Sequence, residues 1–184
     1  MSWSGPQKIP SRKFVCGFCC SSVASIVGYY SDVVQAFIYI CPHCEKPSFF
    51  HHGCQVPDII PGNDVRHLPK DIEALYREAR NAVSVGAYTA SVLACRKLLM
   101  SIAVTQGAKT GESFLSYVDH LANAGFVPPN GRGWVDHIRK KGNEANHEIK
   151  LMVQADAEEL IAFTEMLLKF IYEFPNRVPA PPKT

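Results

Sequence analysis

Residues 16–44 read CGFCCSSVASIVGYYSDVVQAFIYICPHC, and this stretch decides the fold of the N-terminal part of the chain. It begins with Cys16-Gly17-Phe18-Cys19 and ends with Cys41-Pro42-His43-Cys44, two Cys-x-x-Cys pairs separated by 21 residues. Each pair turns tightly enough for two thiolates to face one ion, and two pairs supply the four tetrahedral ligands that a structural Zn²⁺ prefers. The pattern therefore predicts one structural zinc ion per chain, with four ligands: Cys16, Cys19, Cys41 and Cys44.

Disulfides and free core thiols are the other two interpretations of these cysteines. The chain has seven cysteines, six of them between Cys16 and Cys54, and an odd number argues against a complete disulfide framework. In a reducing compartment, clustered cysteines more often bind metal than pair. Of the neighbouring residues, Cys20 is interpreted as a packing residue and His43 as solvent-facing. A second site could use His51, His52 and Cys54, but exposed positions at a strand end are the favoured interpretation.

The residues around the cysteine pairs predict short strands. Val33–Ile40 is rich in β-branched and aromatic residues, and Lys46–His51 follows it after a turn. A 21-residue spacer can hold a β-hairpin, which is the arrangement of a zinc ribbon, and we assign the ribbon to residues 13–56. Polar residues 1–12 are predicted to be a flexible lead-in. Residues 57–68, rich in proline, glycine and asparagine, are predicted to be a linker.

From Pro69 onward the apolar residues recur every three or four positions, which indicates helices. About five helices are expected over residues 69–175, beginning near Pro69, Ala87, Glu112, Gly131 and Asp156. The second is apolar on almost all sides, which is typical of a central helix. A Pro-rich tail covers residues 176–184. The predicted fold class is α+β, with a small N-terminal β zinc ribbon followed by an all-α helical bundle.

The overall composition limits the function classes. The chain is 47% hydrophobic and 20% charged, as expected for a packed globular protein, and its net charge of +2 is too small to indicate nucleic-acid binding by itself. The sequence contains no run of about 18 uncharged apolar residues, and its start, residues 1–8, is not followed by the apolar region of a secretory signal. We therefore expect no membrane association, and a cytoplasmic protein.

Residues 138–149 form the most polar stretch of the helical part. In a helix, Arg139, Asn143 and His147 lie on one side, where they could bind an anion or perform acid–base chemistry. Capping of a helix end by Asn143 and His147 is the favoured interpretation. A basic patch of Arg132, Lys140 and Lys141 could contact phosphates, although a solvated helix face explains it more simply.

Arg96 lies inside the most apolar helix, where a charge needs a partner. It could pair with a carboxylate or cover apolar surface with its stem, and a structural pair is favoured over a role in a site.

The helical part resembles the domain-of-unknown-function 4145 family. The resemblance rests on the stretches Tyr88–Leu99 and Ile138–His147, and it extends over residues 68–175. That family is similar to HEPN domains, which are helical bundles, often dimeric, and many of which are metal-independent RNases in bacterial immunity. The resemblance implies a HEPN-like bundle, a homodimer through the helical domain, a bacterial or phage-conflict setting, and a zinc ribbon as a common companion.

The sequence departs from the RNase motif of those domains. The motif places an arginine five positions before the histidine, and Gly142 stands there. Asn143 and His147 match, whereas Arg139 lies three residues further upstream, about 4.5 Å more along a helix axis. We therefore expect a non-catalytic accessory protein that binds nucleic acid or a protein partner. The alternatives are a metal-independent endoribonuclease using His147, Asn143 and a displaced Arg139, and an immunity or antitoxin protein that masks a toxin.

Overall fold

The computed structural model describes residues 3–128, 133–138 and 151–177 of the chain. The chain divides into two compact units, Met1–Ile60 and Pro61–Thr184. The first contains an antiparallel five-stranded sheet and the second contains the helices, so the predicted α+β class is confirmed.

The N-terminal unit is a sheet in which every strand pairs with the next strand along the chain. The strands are β1 (Gln7–Val15), β2 (Ser22–Ser31), β3 (Ala36–Ile40), β4 (Pro47–His51) and β5 (Cys54–Val56). All four pairings are antiparallel, as short connections between consecutive strands require. The two Cys-x-x-Cys pairs lie in the β1–β2 and β3–β4 connections.

The flexible lead-in expected over residues 1–12 needs correction, because residues 7–12 belong to β1. Gln7 pairs with Gly28 of β2, and Ile9 is buried in the core of the sheet. The polar composition of this segment hides the strand, since one face of an antiparallel strand can remain in water.

The strand expected over Val33–Ile40 begins only at Ala36. Residues 32–35 form the turn between β2 and β3, where Gln35 has a φ of 50° and its Nε2 donates to the Asp32 carbonyl at 2.8 Å. Val33 is 94% exposed, so its β-branched side chain misleads the sequence-based prediction. The long strand β2, which precedes this turn, is given no bounds in that prediction, but it pairs with β3 to form a β-hairpin in the 21-residue spacer, as predicted.

The core of the sheet unit is small and largely aromatic. Phe50 meets Phe14 edge-on at a ring-centroid distance of 5.2 Å and Tyr39 at 5.5 Å. Cys16 and Cys41 are buried in the same cluster. The cysteine pairs therefore lie against the hydrophobic core of this unit.

The helical unit contains α1 (Lys70–Ser84), α2 (Tyr88–Thr105), α3 (Phe114–Asn123), α4 (residues 133–138) and α5 (Gln154–Leu168). A π-helical turn at Lys169–Glu173 and a 3-10 turn at Pro175–Arg177 follow α5. Within the described residues, no helix is both long enough and apolar enough to cross a membrane.

Helix α2 is central, as its sequence predicts. It contacts α1, α3 and α5. Six of its residues are completely buried: Ser91, Cys95, Leu98, Leu99, Ile102 and Ala103. Burial on several sides explains why its apolar residues do not follow a single stripe.

Asp156 was expected to start the last helix and instead lies in its first turn. Val153 is the N-cap, and the Asp156 carboxylate accepts a hydrogen bond from the Val153 amide at 3.2 Å. The carboxylate thus satisfies an amide at the helix start from inside the helix.

Much of the linker expected over residues 57–68 is fixed on the helical unit. The buried Arg80 side chain donates to the carbonyls of Pro61 at 2.8 Å and Gly62 at 2.9 Å. The Glu165 carboxylate accepts from the Asn63 amide at 2.8 Å and from its side chain at 3.0 Å. The helical unit therefore begins at Pro61, eight residues before the helix that the sequence predicts.

Candidate metal centre

The two Cys-x-x-Cys segments form the same backbone turn. The Cys16 amide donates to the Ser21 carbonyl at 3.0 Å, and the Cys20 amide donates to the Cys16 carbonyl at 2.8 Å. In the second turn the corresponding bonds run from Cys41 to the Lys46 carbonyl and from Glu45 to the Cys41 carbonyl, at 3.0 and 2.9 Å. The repeated geometry presents two thiols from each turn to one point.

A left-handed residue closes each turn. Cys20 has a φ of 57° and Glu45 a φ of 58°. Cys20 is exposed, so the expectation that it packs in the core is wrong. Cys20 does not belong to the group of four cysteines whose Sγ atoms lie close together.

The four thiols lie at the spacing of a tetrahedral site. The Sγ atoms of Cys16, Cys19, Cys41 and Cys44 are all within 4.8 Å of one another. Cys16 Sγ lies 3.7 Å from Cys44 Sγ, and Cys19 Sγ lies 3.8 Å from Cys41 Sγ. A tetrahedron with Zn–S bonds of about 2.3 Å has S···S edges of about 3.8 Å. The donor set and its spacing therefore fit a metal ion such as zinc.

The disulfide interpretation does not agree with this geometry. All seven cysteines are free, and sulfur atoms 3.7 Å apart are far beyond the S–S bond length of about 2.05 Å. The closest thiols also belong to different turns, as expected when four ligands surround one point.

Burial and hydrogen bonds shift the pKa values of Cys16, Cys19 and Cys44 in different directions. Burial acts to raise the pKa of Cys19, but hydrogen bonds from Ser21 and His43 outweigh it and lower that pKa. Burial raises the pKa of Cys44, and the neighbouring thiols Cys19, Cys16 and Cys41 raise it further. Burial also raises the pKa of Cys16. A full set of thiolates therefore needs a cation, and metal binding would release protons.

Ser21 and His43 are partners of a candidate ligand that the sequence analysis did not identify. His43 is exposed, as expected, but its ring also hydrogen-bonds to Cys19. The signal in the sequence for this role of His43 is its position inside the second Cys-x-x-Cys segment. Groups of this kind orient metal ligands and tune their basicity.

Gly17 allows the first turn to pack against residues 57–58. A Cβ atom at Gly17 would lie 2.4 Å from the Pro57 carbonyl oxygen and 2.5 Å from that of Asp58. Gln55 holds the same region, because its Nε2 donates to the carbonyls of Val15 at 2.8 Å and Pro57 at 3.0 Å. Only glycine fits this close backbone approach.

The possible second site at His51, His52 and Cys54 lies on the turn between β4 and β5. His52 and Cys54 are exposed, and His51 pairs with Cys54 across the hairpin. Within the described residues, the four-cysteine group is the only cluster of three or more potential ligands close enough to hold a metal ion. The favoured interpretation, exposed positions at a strand end, agrees with this placement.

The predicted site residues of the helical part lie outside the described residues. They are Arg132, Arg139, Lys140, Lys141, Asn143 and His147.

Within the described residues, Arg96 has no carboxylate partner of the kind that the sequence analysis favoured. It is 5% exposed, and its guanidinium lies 4.3 Å from the centroid of the Phe114 ring. Among the described residues it forms no ion pair, and its Nη1 has no hydrogen-bond partner. Arg80, by contrast, is buried and paired with Asp64.

Comparisons with known proteins place the helical unit in a family. Neither the curated proteins nor the solved structures include a match to the chain. A family model described as a domain of unknown function, DUF4145, matches residues 77–183, which is more than half of the chain. The match begins within α1 and leaves the four-cysteine sheet unit outside it. The chain therefore belongs to the DUF4145 family.

Proposed function

We propose that this protein is a non-catalytic, nucleic-acid-binding accessory protein whose zinc ribbon is held together by one structural Zn²⁺. The observation that carries the structural role is the donor set, four thiols within 4.8 Å of one another. Four thiolates fill a tetrahedral zinc ion completely, so no position is left for a reacting water molecule. The metal then stabilises the sheet and takes no part in chemistry.

The sheet carries an apolar row on one face that suits nucleic-acid bases. Tyr29 pairs with Ile38, Ile38 with Phe49, and Phe49 with Val56, so the four side chains cross strands β2 to β5 on one face. We call these four residues the cross-strand row. Phe49 is 40% exposed and Val56 is 47% exposed, although both are apolar.

Aromatic and basic groups extend the cross-strand row. The Trp3 ring, 40% exposed, lies 6.3 Å from that of Tyr29, and the His51 ring lies 6.1 Å from that of Phe49. Lys8 pairs with Val27, two positions from Tyr29 on the same strand. Aromatic rings next to cations are typical of surfaces that stack single-stranded bases and contact their phosphates. These features support single-stranded RNA or DNA as the ligand.

Native-gel titration with labelled single-stranded RNA and DNA tests this function. Phe49→Ala should weaken binding by roughly 5- to 150-fold, the range expected for losing one base–aromatic stack. Tyr30→Ala is the matched control, because Tyr30 is 46% exposed but successive strand residues face opposite ways. Equal loss of binding in both variants, or full binding by Phe49→Ala, contradicts the proposal.

The same gels address the alternative functions. Cleavage of RNA without added divalent metal, abolished by His147→Ala, would establish the endoribonuclease alternative with His147, Asn143 and Arg139. Neither binding nor cleavage would direct the search to a protein partner, as expected for an immunity or antitoxin protein. A role in bacterial defence and a cytoplasmic location stay predictions of the sequence.

The proposal includes a HEPN-like helical unit that forms a homodimer. An exposed groove on α5 and the following turn supports an interface there. It is lined by Ala162, Glu165, Met166, Lys169, Phe170 and Phe174. Phe170 is 44% exposed and Phe174 is 39% exposed, and their rings meet edge-on at 5.3 Å. Sedimentation equilibrium should give twice the 20.4 kDa mass of one chain.

A further inference from the structure

Arg96 is a buried charge that the described part of the helical unit leaves without a partner. Its side chain lies in α2 with 5% exposure, and its guanidinium carbon is 4.3 Å from the centroid of the Phe114 ring. Nη1 is fully buried, and within residues 3–128, 133–138 and 151–177 it has no hydrogen-bond partner. An unsatisfied buried donor of this kind calls for a specific explanation, such as an unobserved ion.

Arg80 shows how the same unit treats a buried guanidinium that has a structural role. It is 7% exposed, nearly the same as Arg96. Its nitrogens donate to the carbonyls of Pro61 and Gly62 and to the Asp64 carboxylate. The aromatic ring beside Arg96 attracts its positive charge. It gives the N–H groups no acceptor as strong as a carbonyl or carboxylate oxygen. Within the described residues, Nη1 of Arg96 therefore retains its N–H donors for a ligand.

The aromatic ring that the Arg96 guanidinium covers belongs to the residue that begins a helix. Phe114, whose ring it covers, is the first residue of the ten-residue α3, and Ser113 is the N-cap. The Ser113 hydroxyl accepts from the Ser116 amide at 3.2 Å, so it occupies the amide of the third helical residue. The amides of the first two residues have no partners within a helix, and a helix N-terminus attracts anions.

We propose that Arg96 and the N-terminus of α3 form an anion-binding site that takes a phosphate group, either free or as a monoester. The planar guanidinium can donate two parallel hydrogen bonds to phosphate oxygens, and the helix start supplies backbone amides. Burial lowers the pKa of Arg96, and a bound anion would offset that cost of holding the charge inside the protein. This site lies in the helical unit and does not depend on nucleic-acid binding by the cross-strand row.

Calorimetric titration of the full, zinc-loaded chain with inorganic phosphate and with a nucleoside 5′-monophosphate tests the site. Arg96→Met should weaken binding of both probes at least about tenfold, as expected for losing one hydrogen bond to a charged group. Arg96→Lys should retain part of the affinity, because it keeps the charge without the planar fork. Lys97→Met, which removes the neighbouring exposed charge, should bind like the wild type.

The two probes separate the possible sources of the phosphate. Equal affinities mean that the phosphate group alone is recognised, whereas tighter binding of the nucleotide adds contacts to its sugar or base, and both results support the site. A wild-type melting temperature that rises with phosphate but not with acetate at equal ionic strength supports it without any variant.

Three results would overturn this site. They are unchanged binding by Arg96→Met, the same loss of binding in Lys97→Met, and equal stabilisation by acetate. The gel shift that depends on Phe49 should persist in Arg96→Met, so failure of one proposal is distinguishable from failure of the other.

Discussion

Replacing Cys41 by serine should remove the metal and unfold the sheet unit while leaving the helices folded. Cys41 is completely buried, and its Sγ lies 3.8 Å from that of Cys19. A serine hydroxyl does not ionise near neutral pH, so three thiolates remain. Loss of a partner that only orients a ligand weakens metal binding by about 10- to 100-fold. Loss of a ligand should therefore cost at least about 100-fold, or about 2.7 kcal/mol.

That cost is a large fraction of the stability that the core of the sheet unit can supply. Its buried cluster contains only six residues, two of which are Cys16 and Cys41 themselves. A core in a unit of this size rarely contributes more than about 3–5 kcal/mol. The helical unit begins at Pro61 and has its own core, so it should keep its structure.

Metal analysis and chelator competition measure the loss of metal from Cys41→Ser. Limited proteolysis and circular dichroism show whether the sheet unit unfolds while the helices stay folded. The matched controls are Cys20→Ser and Cys54→Ser, since both thiols are exposed and lie outside the cluster. If Cys41→Ser retains a full equivalent of tetrahedral metal at wild-type affinity, the ligand assignment is wrong. Unfolding of the helices together with the sheet would contradict the independence of the two units.

Two further predictions concern packing and pH. Gly17→Ala should lower the melting temperature and the metal affinity of the sheet unit, because the added Cβ would lie 2.4 Å from the Pro57 carbonyl oxygen. Overpacking of this kind costs about 1–3 kcal/mol of stability. Gly133→Ala, with no atoms near the added Cβ, is the control, and equal behaviour of the two would refute the steric argument. Burial opposes the ionisation of Glu165, but hydrogen bonds from Lys169 and Asn63 hold its pKa below the ordinary value. The stability that the ionised Glu165 carboxylate contributes is therefore complete above about pH 4.3, and it is lost as the pH falls through the lowered pKa. In thermal unfolding followed by circular dichroism, Glu165→Gln should be less stable at pH 7 and should lose less stability between about pH 5 and pH 3 than the wild type. Identical acid sensitivity of both proteins would contradict this role.

The candidate metal site was accessible from the sequence because its ligands come from short segments. Residues three apart in one tight turn present their thiols together, and this local geometry depends little on the rest of the chain. His43 was harder to identify, since its hydrogen bond to Cys19 depends on how the two turns face each other, whereas Ser21 belongs to the same turn as Cys19. Arg96 was recognised as unusual, but its contact with Phe114 depends on how α2 packs against α3.

The sequence by itself determined the four-cysteine pattern, the helical period and the order of a β unit before an α unit. Each of these features depends on residues that are close together in the sequence. Helices α2 and α3 begin within two residues of their expected starts. Only the tertiary structure decided that residues 7–12 form a strand and that residues 61–66 lie on the helical unit. The partners of Gln7 and Asn63 are Gly28 and Glu165, and such distant pairings depend on packing that no local pattern encodes.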